Sequence, residues 1–414
     1  MESAAVKRRS PPTATRRPLT GRGADDSSLR SVPLRILQIH THYRQAGGED
    51  HVVQNDMDIL RGAGHEVHAL RAANPAGARA IPAFGRAAWN PSAARRIRGS
   101  AARFQPDVIH VHNTWFALTP AIFPSLRELG VPIVMTLHNY RLVCAAATLF
   151  RDGAPCHDCL GSHPWHAVRY GCYRDSRPQS AVPAATIALH NRRGTWHHDI
   201  DLFIALSEFG RQRFIEGGLP GERIVVKANV VNDPGPRPEP PSTSQRVLFV
   251  GRLAEEKGVS ILLDAWDKQG TDLELVVAGT GPLESELRAR APSSVKFVGA
   301  QPSHAISEMM LAARAIVLPS IWYEGQPLVP LEGAAAGLPV LLSDLGAMSE
   351  IFAPGAEELL VPPGDSDALA QRINRLVDDA SVDRLGRLTR ARFEARHHRS
   401  AGLAGLEEIY RSVL

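Results

Sequence analysis

Arg252 and Lys257 stand five positions apart in the segment GRLAEEKG, directly after the apolar run Arg246–Val250. Two cations at the end of a buried strand can neutralise a diphosphate as it departs, which is electrostatic stabilisation of a transition state. In isolation they also read as a solvated turn paired with Glu255 and Glu256. Glu324 and Glu332 stand eight apart in YEGQPLVPLE. Pro327 suits the first turn of a helix, which puts Glu324 in the loop before that helix and Glu332 just over one turn inside it. One carboxylate can then face sugar hydroxyls and the other a ribose, while backbone amides in the loop of Gly325, Gln326, Pro327 and Leu328 face an anion. A solvated helix face is the plainer reading of two such glutamates. Gly47-Gly48 precedes a helix whose apolar residues Val53, Met57 and Leu60 follow i, i+4, i+7 spacing. Glycines there let a bound group approach the backbone, and free N–H groups at a helix start attract phosphate. A simple strand-to-helix turn explains a glycine pair equally well. His138 closes another strand run, and His110 and His112 share one face of the strand before it. A lone histidine is more often structural than catalytic, so His138 gains weight only from its place at a strand end.

The four cysteines, Cys144, Cys156, Cys159 and Cys172, fall within 29 residues as C-x11-C-x2-C-x12-C. That spacing suits a tetrahedral structural zinc, with His157, His163 and His166 as substitutes; free thiols or a redox pair are the alternatives. The surrounding segment, 142–177, lacks periodicity and is long for an ordinary loop.

These residues need elements to position them, and two series of short β-branched runs supply them. The first series comprises 34–39, 65–70, 107–111, 131–137, 201–206 and 224–227. The second comprises 246–250, 273–278, 294–298, 315–318, 339–342 and 358–361. Runs of this length, separated by segments long enough for crossover helices, indicate buried parallel strands. The expected fold is α/β, with two doubly wound Rossmann-like domains, 33–232 and 246–395, facing a central cleft. Between them 233–245, PGPRPEPPSTS and its flanks, reads as a linker, and 396–414 has a helical pattern that can cross back to the first domain. In such sheets ligands sit beyond the carboxyl ends of the strands, where most of the residues singled out above lie.

Composition narrows the class. Of 414 residues, 44% are hydrophobic and 22% charged, ordinary for a globular protein with a sizeable core. The net charge is +4, and the first 32 residues carry all of that excess, so the body is neutral and nucleic acid is not an expected partner. The basic head has no apolar core of a signal peptide, and no apolar stretch reaches the roughly 18 residues of a membrane helix. A cytoplasmic protein with reduced cysteines is expected. The head is either a solvated tail, the favoured reading, or a peripheral contact with an anionic membrane surface.

Taken in order, the segments VGRLAEEKG, VVAGTGP, SVKFVGA and YEGQPLVPLEGAAAGLPVL resemble the retaining glycosyltransferases of the GT-B fold, family four. GGED, VIHVHN, TLHNY and ALSEFGRQRF extend the resemblance into the first half, so that it covers nearly all of 34–395. The resemblance implies that Arg252 and Lys257 hold the donor diphosphate, with amides near Gly48 and Gln326. It implies that Glu332 binds the ribose, that Glu324 contacts donor sugar hydroxyls, and that His138 lines the reaction centre from the acceptor side. Gly47, Gly251 and Gly281 would belong to the donor loops, and Val298-Gly299 would lie near the base. Transfer would retain the anomeric configuration by front-face attack, without a strong general base, since a leaving-phosphate oxygen can take the acceptor proton, and no divalent metal would be required. The partners implied are a nucleotide-sugar donor and a carbohydrate or lipid-linked acceptor. A nucleotide-sugar epimerase and a non-catalytic binding subunit are the rival functions. Two departures from the family pattern stand out: Gln326, where a hydrophobic residue is usual, and Asn229-Val230-Val231-Asn232, where an Asn-Gly turn is usual.

Overall fold

The computed structural model describes residues 32–42 and 47–414; nearly all of the basic head lies outside them. Each strand run expected from the sequence forms a strand. In the first half these are β1 (Arg35–His42), β2 (Glu66–Ala73), β3 (Val108–Asn113) and β4 (Ile133–Leu137), then, beyond a two-stranded hairpin of β5 (Phe150–Arg151) and β6 (Ala154–Pro155), β7 (Leu202–Ala205) and β8 (Ile224–Val226). The second half contributes β9 (Arg246–Val250), β10 (Glu274–Ala278), β11 (Val295–Gly299), β12 (Ala315–Leu318), β13 (Val340–Ser343) and β14 (Leu360–Val361). The two six-stranded sheets run β2-β1-β3-β4-β7-β8 and β11-β10-β9-β12-β13-β14, and their pairings are parallel. Continuous burial of β3, β4, β12 and β13 follows from helices covering both faces, which is why their sequences are apolar runs rather than alternations. In each sheet the strand order reverses direction once, between β1 and β3 and between β9 and β12. Such switch points open a crevice at the carboxyl ends of the strands.

Two features of the chain tie the halves down. The proline-rich segment after residue 232 is ordered, because buried Arg314 donates to the carbonyls of Ser242 and Ser244, and Arg237 donates to those of Met310 and Ala313. The last helix, Arg399–Val413, packs on the first half: Leu406, Ile409 and Tyr410 join Ile36, Met57, Val108 and Val134 in one apolar cluster. There the Tyr410 hydroxyl lies 2.8 Å from His110 Nδ1, whose Nε2 lies 2.7 Å from Thr136 Oγ1. Among the described residues no helix is long and apolar enough to cross a membrane.

The segment 142–177 contains structure that its lack of periodicity concealed. Asp152 and Gly153 both take positive φ, +53° and +74°, in the two-residue turn between β5 and β6. Asp-Gly is the pair best able to adopt that left-handed turn.

His110 and His112 are fully buried on β3. Burial, then neighbouring histidine charge, pulls the His110 pKa down to about 3 and that of His112 well below its ordinary value. The folded chain therefore excludes protons that the unfolded chain accepts near pH 6.5. This stability is complete above that pH and is lost as pH falls toward the folded values, by on the order of 1–2 kcal/mol per histidine between pH 6.5 and 5. Denaturant unfolding at stepped pH should show the loss, and replacing His112 with Asn should flatten it; a stability independent of pH from 7 to 5 would contradict this.

Candidate active site at the two switch points

The carboxyl ends of β9 and β12 carry the two loops that the sequence marked for diphosphate and sugar. They meet because Gly258 takes a left-handed φ of +67°, and a Cβ there would stand 1.9 Å from the Pro319 carbonyl oxygen. Only glycine allows that approach. Ile321 N–H donates to the Glu256 carbonyl and locks the two loops together. As a result Lys257 Nζ donates to Glu324 Oε1 at 2.7 Å, and Ser320 Oγ donates to the same oxygen at 2.9 Å. Lys257 is 21% exposed and Glu324 9%. A carboxylate so buried requires such partners.

This pair lines a cavity of ≈ 290 Å³ together with Gly48, Glu49, His138, Gly251, Gly325, Gln326, Pro327 and Leu328. The halves touch at its floor, where a Cβ on Gly325 would stand 2.7 Å from the His138 carbonyl oxygen. A second cavity of ≈ 550 Å³ shares Gly48, Val250 and Leu328 with the first and holds Glu332, His51, Gln301 and His304. Burial raises the Glu332 pKa, with His51 opposing it. Pro327 is the cap residue before the helix Leu328–Ala335 rather than in its first turn, and Glu332 lies inside that helix. Gly47 precedes the helix Gly48–Gly62, where Asp50 accepts from its N–H at 3.0 Å.

Four of the expected donor residues, Gly47, Arg252, Gly281 and Val298, line neither cavity. The Arg252 side chain is 61% exposed and paired with Glu256, because the turn after β9 points it to solvent. Gly281 is needed for packing instead: a Cβ there would stand 2.3 Å from the Leu253 carbonyl oxygen. Val298 sits on β11 with its side chain outward, and it is Gln301, donating to the Val298 carbonyl, that reaches the larger cavity.

The two departures from the family pattern are partners. Gln326 Oε1 accepts from Asn229 N–H, and Asn229 Nδ2 donates to the Gln326 carbonyl at 3.0 Å. The His397 side chain binds the Asn229 carbonyl at 3.0 Å, so this link also reaches the start of the last helix.

On the first-half side, His138 Nε2 lies 3.0 Å from His112 Nδ1. Burial, followed by the charges of His40 and Lys227, pulls the His138 pKa down to about 3. Burial thus favours its neutral form, which can give or accept a hydrogen bond. Sequence reading passed over Glu49, which also lines the smaller cavity, although its place beside Gly47-Gly48 at a strand end was a signal. It also passed over Tyr323, next to Glu324, on which His157 stacks with ring centroids 5.5 Å apart.

The four cysteines are free and line one small cavity of ≈ 20 Å³ with His166. Their sulfurs are not drawn to ligand spacing, so a closed zinc site is not preformed. Among the described residues, the one group of three whose ligand atoms all lie within 4.8 Å of one another is His40, His42 and Asp50. Its contacts, 2.8 and 2.5 Å from Asp50 Oδ1 to the two rings, are those of hydrogen bonds.

Comparison with known proteins agrees with this geometry. The family model described as glycosyltransferase family 4 matches residues 36–233, and that of glycosyl transferases group 1 matches residues 236–394. Phosphatidyl-myo-inositol mannosyltransferase of Mycolicibacterium smegmatis is 27% identical over 401 residues, 89% of this chain and 90% of that protein. The putative colanic acid biosynthesis glycosyltransferase WcaL of Escherichia coli is 31% identical over 189 residues, 42% of this chain and 47% of that one. Among solved structures, Anabaena HepE in complex with UDP-glucose matches with a TM-score of 0.65 at 18% identity, covering 92% of this chain and all of that one. Sucrose-phosphate synthase of Thermosynechococcus elongatus matches with a TM-score of 0.67 at 20% identity, covering 91% and 98%. The two cavities between paired switch points, and two family models that together span both halves, make the chain a member of glycosyltransferase family 4, a GT-B enzyme that transfers sugar from a nucleotide-sugar donor.

Proposed function

We propose that this enzyme transfers a hexose, with retention of configuration, from a nucleoside diphosphate sugar to a hydroxyl of a cell-envelope glycan or glycolipid. The observation that carries the reading is the Lys257–Glu324 pair in the smaller cavity, which adjoins the larger one through Gly48, Val250 and Leu328. The larger cavity is the size for a nucleoside, with Glu332 for the ribose. The smaller takes the sugar, with Glu324 for its hydroxyls. Between them Lys257 meets the diphosphate and stabilises the charge that develops as it leaves. The acceptor oxygen bonds to the anomeric carbon, and its proton passes to the freed phosphate oxygen. Neutral His138 donates or accepts a hydrogen bond at the reaction centre. The acceptor class rests on relatives named as a phosphatidyl-myo-inositol mannosyltransferase and as a putative colanic acid biosynthesis glycosyltransferase. Four free cysteines support a cytoplasmic setting.

The test is nucleotide release from a panel of UDP, GDP and ADP sugars, with and without an acceptor mixture. Release that depends on acceptor is expected, and Lys257→Ala should lower it by about 10²–10³. Equal release without acceptor, or a Lys257→Ala enzyme of normal activity, would contradict the reading. Glu332→Ala should weaken binding of the free nucleoside diphosphate by about tenfold or more, the worth of a charged hydrogen bond. Unchanged affinity by calorimetry removes Glu332 from the ribose.

We also propose that Cys144, Cys156, Cys159 and Cys172 hold one structural zinc, apart from the chemistry. Their convergence on one cavity supports it, as does a tightly turned segment that four thiolates would cross-link without an oxidising compartment. Elemental analysis of protein purified without added metal should find about one zinc per chain. Less than a tenth of a zinc, with four freely reacting thiols, would refute it.

A further inference from the structure

Glu49 is the second residue of the helix Gly48–Gly62, and a carboxylate there is ordinarily explained by the helix start. That explanation is already taken by Asp50, which accepts from Gly47 N–H and binds both His40 and His42. Glu49 contributes nothing to the cap. Its side chain is 10% exposed, and Oε2 accepts from Asn139 Nδ2 at 3.3 Å. Oε1 is buried without a hydrogen-bond partner; the nearest cationic candidate, His40 Nδ1, stands 3.7 Å away and is itself unpartnered. Among the described residues no lysine or arginine forms an ion pair with Glu49, although carboxamide hydrogen bonding from Asn113 and Asn139 and the charge of the Arg141 guanidinium both lower its pKa. Burial outweighs both and pushes that pKa up to about 8. A buried carboxyl oxygen left unused is costly to the fold. Glu49 lines the cavity that also holds His138 and Lys257.

We propose that Glu49 is a catalytic residue on the acceptor side: its carboxyl oxygen Oε1 receives the attacking hydroxyl of a sugar or polyol beside His138. The assignment rests on the glycosyltransferase reading and deepens it. Glu49 orients the hydroxyl and finishes the cycle in the protonation state in which it began. The new bond joins the acceptor oxygen to the anomeric carbon, the bond from that carbon to the diphosphate breaks, and the hydroxyl proton goes to the freed phosphate. The Asn139 carboxamide holds Oε2, and Oε1 is the oxygen left for the ligand. The acceptor chemistry this selects is a hydroxyl-rich head group presented from the first half, across the cavity from Glu324.

The test compares wild type with Glu49→Gln and Glu49→Ala in the full-length enzyme, with an acceptor on which wild type is active. The expected result is a rise in acceptor KM and a fall in kcat that together lower kcat/KM for acceptor by about 10- to 100-fold. Nucleoside diphosphate affinity should stay within twofold, and the melting temperature should hold or rise, since an unused buried carboxyl is removed. Transfer kinetics within twofold of wild type overturn the assignment. So does an equal loss of nucleotide binding, which would put Glu49 on the donor, or unfolding of both variants, which would make its role structural. A wild-type enzyme that transfers nothing from any donor refutes the glycosyltransferase reading instead, and the two failures are thereby distinct.

Discussion

A charge placed in a cleft with little water must have a partner, and the Lys257–Glu324 ion pair answers that constraint at the centre of this molecule. Sixty-seven residues separate the two in sequence, and their meeting requires the loops after β9 and β12 to touch. Gly258 makes that contact possible by letting the Pro319 carbonyl come where any side chain would stand. Gly325 repeats the device across the cleft, against the His138 carbonyl. In the proposed reaction a diphosphate at Lys257 would replace one anion with another and leave Glu324, still held by Ser320, to a sugar hydroxyl.

The two sides of the cleft solve the burial problem differently. The second half keeps opposite charges in contact. In the first half burial lowers the pKa values of His110, His112 and His138 and raises that of Glu49. In the proposed reaction leaving-group charge would develop beside Lys257, and the acceptor would approach beside the buried His138 and Glu49. This division matches a reaction whose difficulty lies in departure of the phosphate more than in activation of the attacking hydroxyl. The last helix takes part at a distance, since Tyr410 binds His110 on the same strand face as His112.

Much of this was legible in the sequence, and the remainder was hidden for identifiable reasons. Twelve strands announced themselves because parallel strands buried on both faces must be apolar throughout, and Glu324, Glu332, Lys257 and His138 were marked by their places after such strands. Arg252 and Val298 carried the same mark yet face solvent, because position after or at the end of a strand does not fix the direction of a side chain. Asn229 and Gln326 looked like two separate irregularities; only folding shows each bonded to the other. Glu49 was overshadowed by its neighbour Asp50, since sequence cannot say which of two adjacent carboxylates caps the helix and which is left over. The β5–β6 hairpin, although signalled by Asp152-Gly153, is too short to produce a periodic pattern.

The central claim is that the diphosphate of the donor binds at Lys257, with the nucleoside on the Glu332 side. A crystal structure of the enzyme with a bound nucleoside diphosphate tests this most directly. The account predicts phosphate oxygens within hydrogen-bond distance of Lys257 Nζ and ribose hydroxyls on the Glu332 carboxyl. A nucleotide bound outside the cleft, or lying in it with its base at Lys257 and its phosphates at Glu332, would contradict it.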